Sequence, residues 1–353
     1  MTAPDKNSIT NTSLSHIDIG KKLITDIPVD FKNNELEVYL ETLLVEINEK
    51  EEKRTFNTPA FTTVFSSAIS KFASLDKPQI QQASNTLAQR LLEKEIYMAE
   101  RYGHLSKKND IHVKIGSFLQ FIYTEKGQTC YLGVKVDHQI ILDEKDFKTK
   151  AGLGLTEKIY KAVKVEYNNE NLPSRILIFD TKPKLTKYWW HDFLELAESN
   201  TDEFNTSKAI DETIKAINTL KSKFPQDHTI LRNTTIAAFR QKGQMNYHKF
   251  VQTTFENYTS DAPGFEEAKK KLIEKLNSLP EKRGFDSIFN TIPSAVPFNK
   301  TTYKLTSEIS LSIKDGITDM SDKIWSEETA DGRELIVIES SEAKKFERKQ
   351  RKP

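Results

Sequence analysis

The chain has 353 residues, more than one compact core usually serves, so two or three domains are expected. Charged residues make up 29% and hydrophobic ones 37%, with a net charge of +1, so any hold on an acidic partner must come from local patches. One cysteine, Cys130, excludes an internal disulfide and fits a reducing cytoplasm, and no run approaches the roughly 18 apolar residues of a membrane span.

Residues 1–15 are rich in Ser, Thr and Asn, lack an apolar signal-peptide core, and read as a disordered N-terminus. Ile17, Ile19, Leu23, Ile24 and Ile27 suggest an edge strand. Leu36, Leu40, Leu43, Leu44 and Ile47 form a helical stripe that ends in the charge run 48–54. Phe61, Val64, Phe65, Ala68, Ile69 and Phe72 give a second amphipathic helix. Pro78 opens a third, with Ile80, Ala83, Leu87 and Leu91 at helical spacing toward Tyr102 and Gly103 at its end. Residues 16–110 are therefore expected to be a helical N-terminal region.

From Ile111 the period changes. Residues 118–123 are nearly all apolar, as in a strand covered on both faces, and after the turn at 125–128 Cys130, Leu132, Val134 and Val136 alternate with other residues. Residues 140–142 suggest a short strand and 152–154 a turn, before Val163, Val165 and Tyr167 alternate with Lys164 and Glu166. The apolar run Ile176-Leu177-Ile178-Phe179 then leads through a lysine-rich turn into Tyr188-Trp189-Trp190-His191-Asp192-Phe193-Leu194. As a helix, this segment puts positions 189, 193 and 196 on one face, and so much aromatic area needs a sheet or helices to dock on.

Further on, Ile210, Ile214, Ile217 and Phe224 mark a helix stopped at Pro225; Asp227 is a candidate cap for the next, and Asn246 for the one after. The central sheet with docked helices is thus assigned to 111–260. Residues 265–279 form a lysine-rich helix, and Tyr303, Leu305, Ile309, Leu311 and Ile313 make the clearest alternating pattern in the chain. Asp331-Gly332 reads as a hairpin turn between strands at 324–325 and 335–338. Residues 261–340 are expected to be a helix with a β-rich lobe. Residues 341–353 are expected to be a basic tail, with six cations and Glu347 in its 344–352 stretch. The fold class is α+β: a mostly antiparallel central sheet with helices before and after it, plus a C-terminal β-rich lobe.

The order of elements, Gly116-Ser117-Phe118-Leu119 with Tyr131-Leu132-Gly133-Val134, the strand Arg175-Ile176-Leu177-Ile178-Phe179, and Lys187-Tyr188-Trp189-Trp190-His191-Asp192-Phe193-Leu194 are similar to the 37 kDa nucleoid-associated (NdpA-type) proteins. Ile309-Ser310-Leu311-Ser312-Ile313 and Asp331-Gly332 fit the family's last segment, and the likeness spans roughly residues 16–338. It implies a bacterial nucleoid protein in the cytoplasm that binds double-stranded DNA without a known reaction and acts with topoisomerases or other nucleoid proteins. A homodimer is an option. No cofactor, metal or membrane is expected.

Residues 145–187 hold ten cations against five anions, a local excess of +5. Such side chains bind phosphates independently of sequence and lose affinity as salt rises. The expected DNA contacts are Lys148, Lys150, Lys161, Lys164, Lys182, Lys184 and Lys187, with Lys349 and Arg351 from the tail; a solvated charged face is the plain alternative. Residues 226–258 could form a helix–turn–helix offering Asn246, Lys249 and Gln252, but a packed bundle suits their spacing better. A second function class is a protein-interaction subunit of a phage-defence or chromosome-maintenance assembly. A third is a metal-dependent nuclease, with Asp180 holding the metal, Lys182 supporting the attacking water and Glu166 as the second carboxylate. Its usual upstream Pro-Asp pair is missing. His191-Asp192 reads as structural and Cys130 as an inert core thiol; no zinc pattern or nucleotide loop occurs.

Overall fold

The computed structural model describes residues 9–29, 34–74, 76–102, 116–142, 149–154, 160–181 and 185–348, without the side chains of 34, 139–142 and 149–151. The chain forms an α+β fold in two compact units that meet at Asn200 and Thr201. That division falls inside the stretch that the sequence assigns to one sheet-plus-helix region.

The first unit is built on an antiparallel sheet. Its strands are β1 (Ile9–Asp18), β2 (Leu23–Ile27), β3 (Arg54–Asn57), β4 (Gly116–Glu125), β5 (Gln128–Leu142), β6 (Thr149–Leu153), β7 (Tyr160–Tyr167), β8 (Pro173–Asp180) and β9 (Ala197–Glu198). They lie in the order β2-β1-β4-β5-β7-β8-β3-β9, with β6 paired to the far end of β5. β1 begins at Ile9, so half of the stretch expected to be disordered is a strand, with Leu14 and Ile17 buried. The helices are α1 (Asn34–Glu49), α2 (Val64–Ala73) and α3 (Lys77–Tyr102).

Both faces of the sheet are covered. Phe118, Tyr131, Val163, Ile176 and Ile178 pack with α2, α3 and the tryptophan segment. Leu119, Leu132, Val134, Ala162, Leu177 and Phe179 pack with Leu40, Leu43, Leu44 and Ile47 of α1. This is why β4 reads as a nearly continuous apolar run: alternate side chains enter different cores, and each is dry. Thr63 caps α2 by accepting from the Ser66 amide at 3.1 Å. Phe61 precedes that cap, is outside the helix and is exposed, so its helical spacing to Val64 has no effect.

The tryptophan segment is a single turn of π-helix, Tyr188–Phe193, whose i→i+5 bonds include Leu194 N to Trp189 O at 3.1 Å. Trp189 and Phe193 are fully buried, 4.9 Å apart between ring centroids, and both lie edge-on to Phe118. Arg90 of α3 supports the turn by donating to the carbonyls of Phe193 (2.7 Å) and Asp192 (3.0 Å) and pairing with Glu195. The wide turn is pinned between sheet and α3.

The second unit is mainly helical: α4 (Asp202–Ile217), α5 (Pro225–Arg240), α6 (Tyr247–Val251), α7 (Phe265–Asn277) and α8 (Leu279–Arg283) enclose one core. Pro225 starts α5 rather than ending α4, because proline at the first helical position gives up only an amide with no helical partner. Asp227 consequently sits inside the first turn, where it accepts from the Tyr258 hydroxyl at 2.8 Å. Asn246 does cap α6, accepting from the Lys249 amide. Strands β10 (Gln244–Asn246) and β11 (Ile288–Asn290) pair beside these helices.

The C-terminal part consists of two separate hairpins among the described residues. β12 (Lys300–Lys304) pairs with β13 (Ser310–Lys314), so the pattern at 303–313 is two strands and a turn. After α9 (Met320–Lys323), β14 (Ile324–Glu328) and β15 (Glu334–Ile338) meet across Gly332, which takes a φ of 78° that suits glycine. The first hairpin is anchored on α5. Arg232 donates to both Asp315 carboxylate oxygens, at 2.7 and 3.3 Å, and Thr301 donates to the same carboxylate at 2.6 Å.

Candidate functional site

The register brings one chemically dense place together. Phe118, Lys135, Lys161 and Asp180 are successive cross-strand partners on β4, β5, β7 and β8. Partners in register point to the same face, so a charged row continues the apolar face at one end of the sheet. Gly116, Asp180, Tyr160 and the paired Leu142 and Thr149 lie toward that end, and they flank the chain segments 103–115, 143–148, 155–159 and 182–184.

Within the row, Lys135 is almost fully buried and bonds Glu95 of α3 at 2.6 Å and Asp137 at 3.0 Å. Burial alone would lower its ammonium, but the two carboxylates outweigh that and hold its pKa above the ordinary lysine value. Tyr188 of the π-turn donates to Glu95 at 3.1 Å, and burial, then Glu95, push its phenol well above the usual range. Lys161 is also buried, with its ammonium 5.9 Å from the Tyr188 ring centroid. Asp180 accepts from both the amide and the hydroxyl of Thr186, while Lys50 donates to its backbone carbonyl at 2.9 Å. Lys135 and Asp180 are thus held by groups of α3, β5 and the segment that leads into the π-turn.

The expected DNA contacts divide sharply. Lys164 does not face solvent: it is buried on the α1 side of the sheet, 2.6 Å from Glu125, 3.4 Å from Glu166 and 3.1 Å from Asn48 Oδ1. Lys161 is likewise inside. Both expectations are corrected for one reason: the two lysines lie on opposite faces of β7, and a charge on a strand signals a wet face only where nothing covers it. Lys187 is exposed at the start of the π-turn, at the charged end. Lys148, Lys182, Lys184, Lys349 and Arg351 lie outside the described residues, as does the side chain of Lys150.

The nuclease geometry is corrected too. Glu166 pairs in register with Arg175, whereas Asp180 pairs with Lys161 at the opposite end of β7. Five residues of strand put them roughly 17 Å apart, too far to share one metal. Among the described residues no group of three His, Cys, Asp or Glu is placed to hold a metal. His191 and Asp192 form a 2.7 Å pair on the surface rather than in the packed interior. Cys130 is buried, and burial pushes its thiol up to about 11.

Glu95 and Lys135 were missed from sequence although a signal exists. Glu95 continues the buried stripe Ile80, Ala83, Leu87 and Leu91 by one more helical step, and Lys135 and Asp137 are two apart on one strand. A charge on a dry stripe asks for a partner. On the other face, His138 bonds the Ser117 hydroxyl at 2.8 Å and lies 5.0 Å from the His16 ring.

Comparison with protein-family models and with curated proteins gave no match. No helix among the described residues is long and apolar enough to cross a membrane.

Proposed function

We propose that the protein is a non-catalytic, nucleoid-associated DNA-binding protein that grips the phosphate backbone of the duplex largely without regard to sequence, in the cytoplasm at the bacterial nucleoid. The observation that carries this reading is the gathering of strand ends at one end of the sheet. Of the segments they flank, 155–159, 182–184 and most of 143–148 belong to the 145–187 stretch with its excess of +5, and the exposed Lys187 stands beside them. Phosphate contact needs solvent-facing cations in a cluster and no particular base-edge geometry. The NdpA-type motifs point the same way, and they suggest topoisomerases or other nucleoid proteins as partners. The separation of Asp180 from Glu166 favours binding over cutting.

The test is titration of the full chain into two labelled duplexes of unrelated sequence at low salt. Comparable affinity for both supports the reading, and no binding to either overturns it.

A further inference from the structure

From residue 297 onward no apolar side chain is fully buried among the described residues. The hairpins formed there are nevertheless rich in apolar groups. On the first, Thr301 faces Ile313 and Tyr303 faces Leu311, with Leu305 and Ile309 at the turn. On the second, Ile324 faces Ile338 and Ser326 faces Ile336 on one side, while Trp325 faces Val337 and Glu327 faces Leu335 on the other. Leu305, Ile309, Ile336 and Ile338 keep 40–57% of their surface exposed. A two-stranded hairpin is marginal alone, and each of these has two edges with no strand beside them among the described residues.

Charge identifies the missing neighbour. Residues 300–314 carry Lys300, Lys304 and Lys314 against Glu308, a net +2. Residues 324–339 carry Glu327, Glu328, Asp331, Glu334 and Glu339 against Arg333, a net −4. Each hairpin also sets like charges directly opposite one another, Lys300 with Lys314 and Glu328 with Glu334. Such cross-strand pairs repel, and none of these four residues forms an ion pair among the described residues. The defect of one hairpin is what the other would relieve. Within one chain the two form separate sheets, and the link between them is held to α5: Asn233 accepts from the Gly316 and Ile317 amides at 2.8 and 2.9 Å.

We propose that this half-covered β surface is an interface between two copies of the chain, in which the basic hairpin of one copy pairs edge to edge with the acidic hairpin of the other, twice, about a twofold axis. A twofold arrangement makes the contact isologous, so both hairpins of both copies are satisfied at once. Doubling matters because a single contact between five-residue strands, about 17 Å long, is far below a standard interface of roughly 1,200–2,000 Å².

The experiment measures the mass of the full chain in solution by light scattering or sedimentation across concentration. The wild-type chain gives twice the chain mass, and added salt weakens the association. Lys300→Glu with Lys314→Glu, or Glu328→Lys with Glu334→Lys, each weakens self-association at least about tenfold, while circular dichroism shows the fold kept. An equimolar mixture of the two variants restores the dimer, because in the mixed pair both contacts again join opposite charges. A wild-type chain that stays monomeric at about 100 µM, variants that associate like wild type, or a mixture that stays monomeric overturns the proposal. The salt series on the wild-type chain needs no substitution, so the test survives a variant that misfolds.

Discussion

Two lysines that look alike in the sequence should behave oppositely when removed. Lys164→Ala deletes a buried ammonium held by Glu125 at 2.6 Å and Glu166 at 3.4 Å, and leaves those carboxylates facing each other beside Asn48. Breaking a buried pair from one side costs about 3–5 kcal/mol. Both carboxylates keep some access to water, so the lower end applies, about 3 kcal/mol. With a urea dependence of about 2–3 kcal/mol per molar, the unfolding midpoint should drop by about 1 M. Lys187→Ala removes an exposed cation, so stability should move by no more than about 0.5 kcal/mol, while the salt slope of DNA binding should fall by about 1. Urea unfolding followed by tryptophan fluorescence reads the first effect, because Trp189 and Trp190 both pack in the first unit's core. Fluorescence anisotropy of a labelled duplex reads the second. A Lys164→Ala protein of unchanged stability with weakened DNA binding would refute the assignment of buried and exposed lysines.

Phe193→Ala should cost about 3–5 kcal/mol, since the ring is fully buried between Trp189 and Phe118; thermal unfolding checks it, and a loss under about 1 kcal/mol would show a looser π-turn. Asp315→Ala should unfasten the first hairpin from α5 by removing the acceptor of Arg232 and Thr301, at about 2–3 kcal/mol, read as faster amide exchange over 300–314 with α4 unaffected. Acidification should weaken the fold from just below neutral pH. Burial holds His138 and His228 below the ordinary value of 6.5, so the unfolded chain takes protons first and stability declines as pH falls below about 6.5. His138→Gln with His228→Gln should flatten that decline in a series of melts from pH 7.5 to about 5.

Much of the first unit is legible because periodicity reports burial directly. The run at 118–123 announces a strand with two dry faces, and the stripe from Leu36 to Ile47 becomes α1. What was lost follows from non-local facts. β3 is four residues at the end of a charge run, and its buried Arg54 pairs with Glu198, which arrives from far along the chain, at 2.9 Å. Lys161 and Lys164 each sit between apolar neighbours, on opposite faces of β7, and nothing local reveals that α1 and α3 cover both sides. The pattern at 303–313 hides a turn because Tyr303 and Leu311 differ by an even number, so alternation keeps its phase across the bend. The tryptophan segment announced its burial but not its i→i+5 geometry, which depends on Arg90 and the sheet around it. For the DNA-contact candidates, composition located the cationic stretch, while packing separated its buried members from Lys187.

The most direct measurement is the affinity of the full chain for duplex DNA as sodium chloride is raised from about 50 to 200 mM. Backbone binding predicts that log K falls linearly with log salt, by about 0.9 for each phosphate neutralised, with similar slopes for unrelated sequences and a slope lower by about 1 in Lys187→Ala. No binding at the lowest salt, or an affinity indifferent to salt, would contradict it.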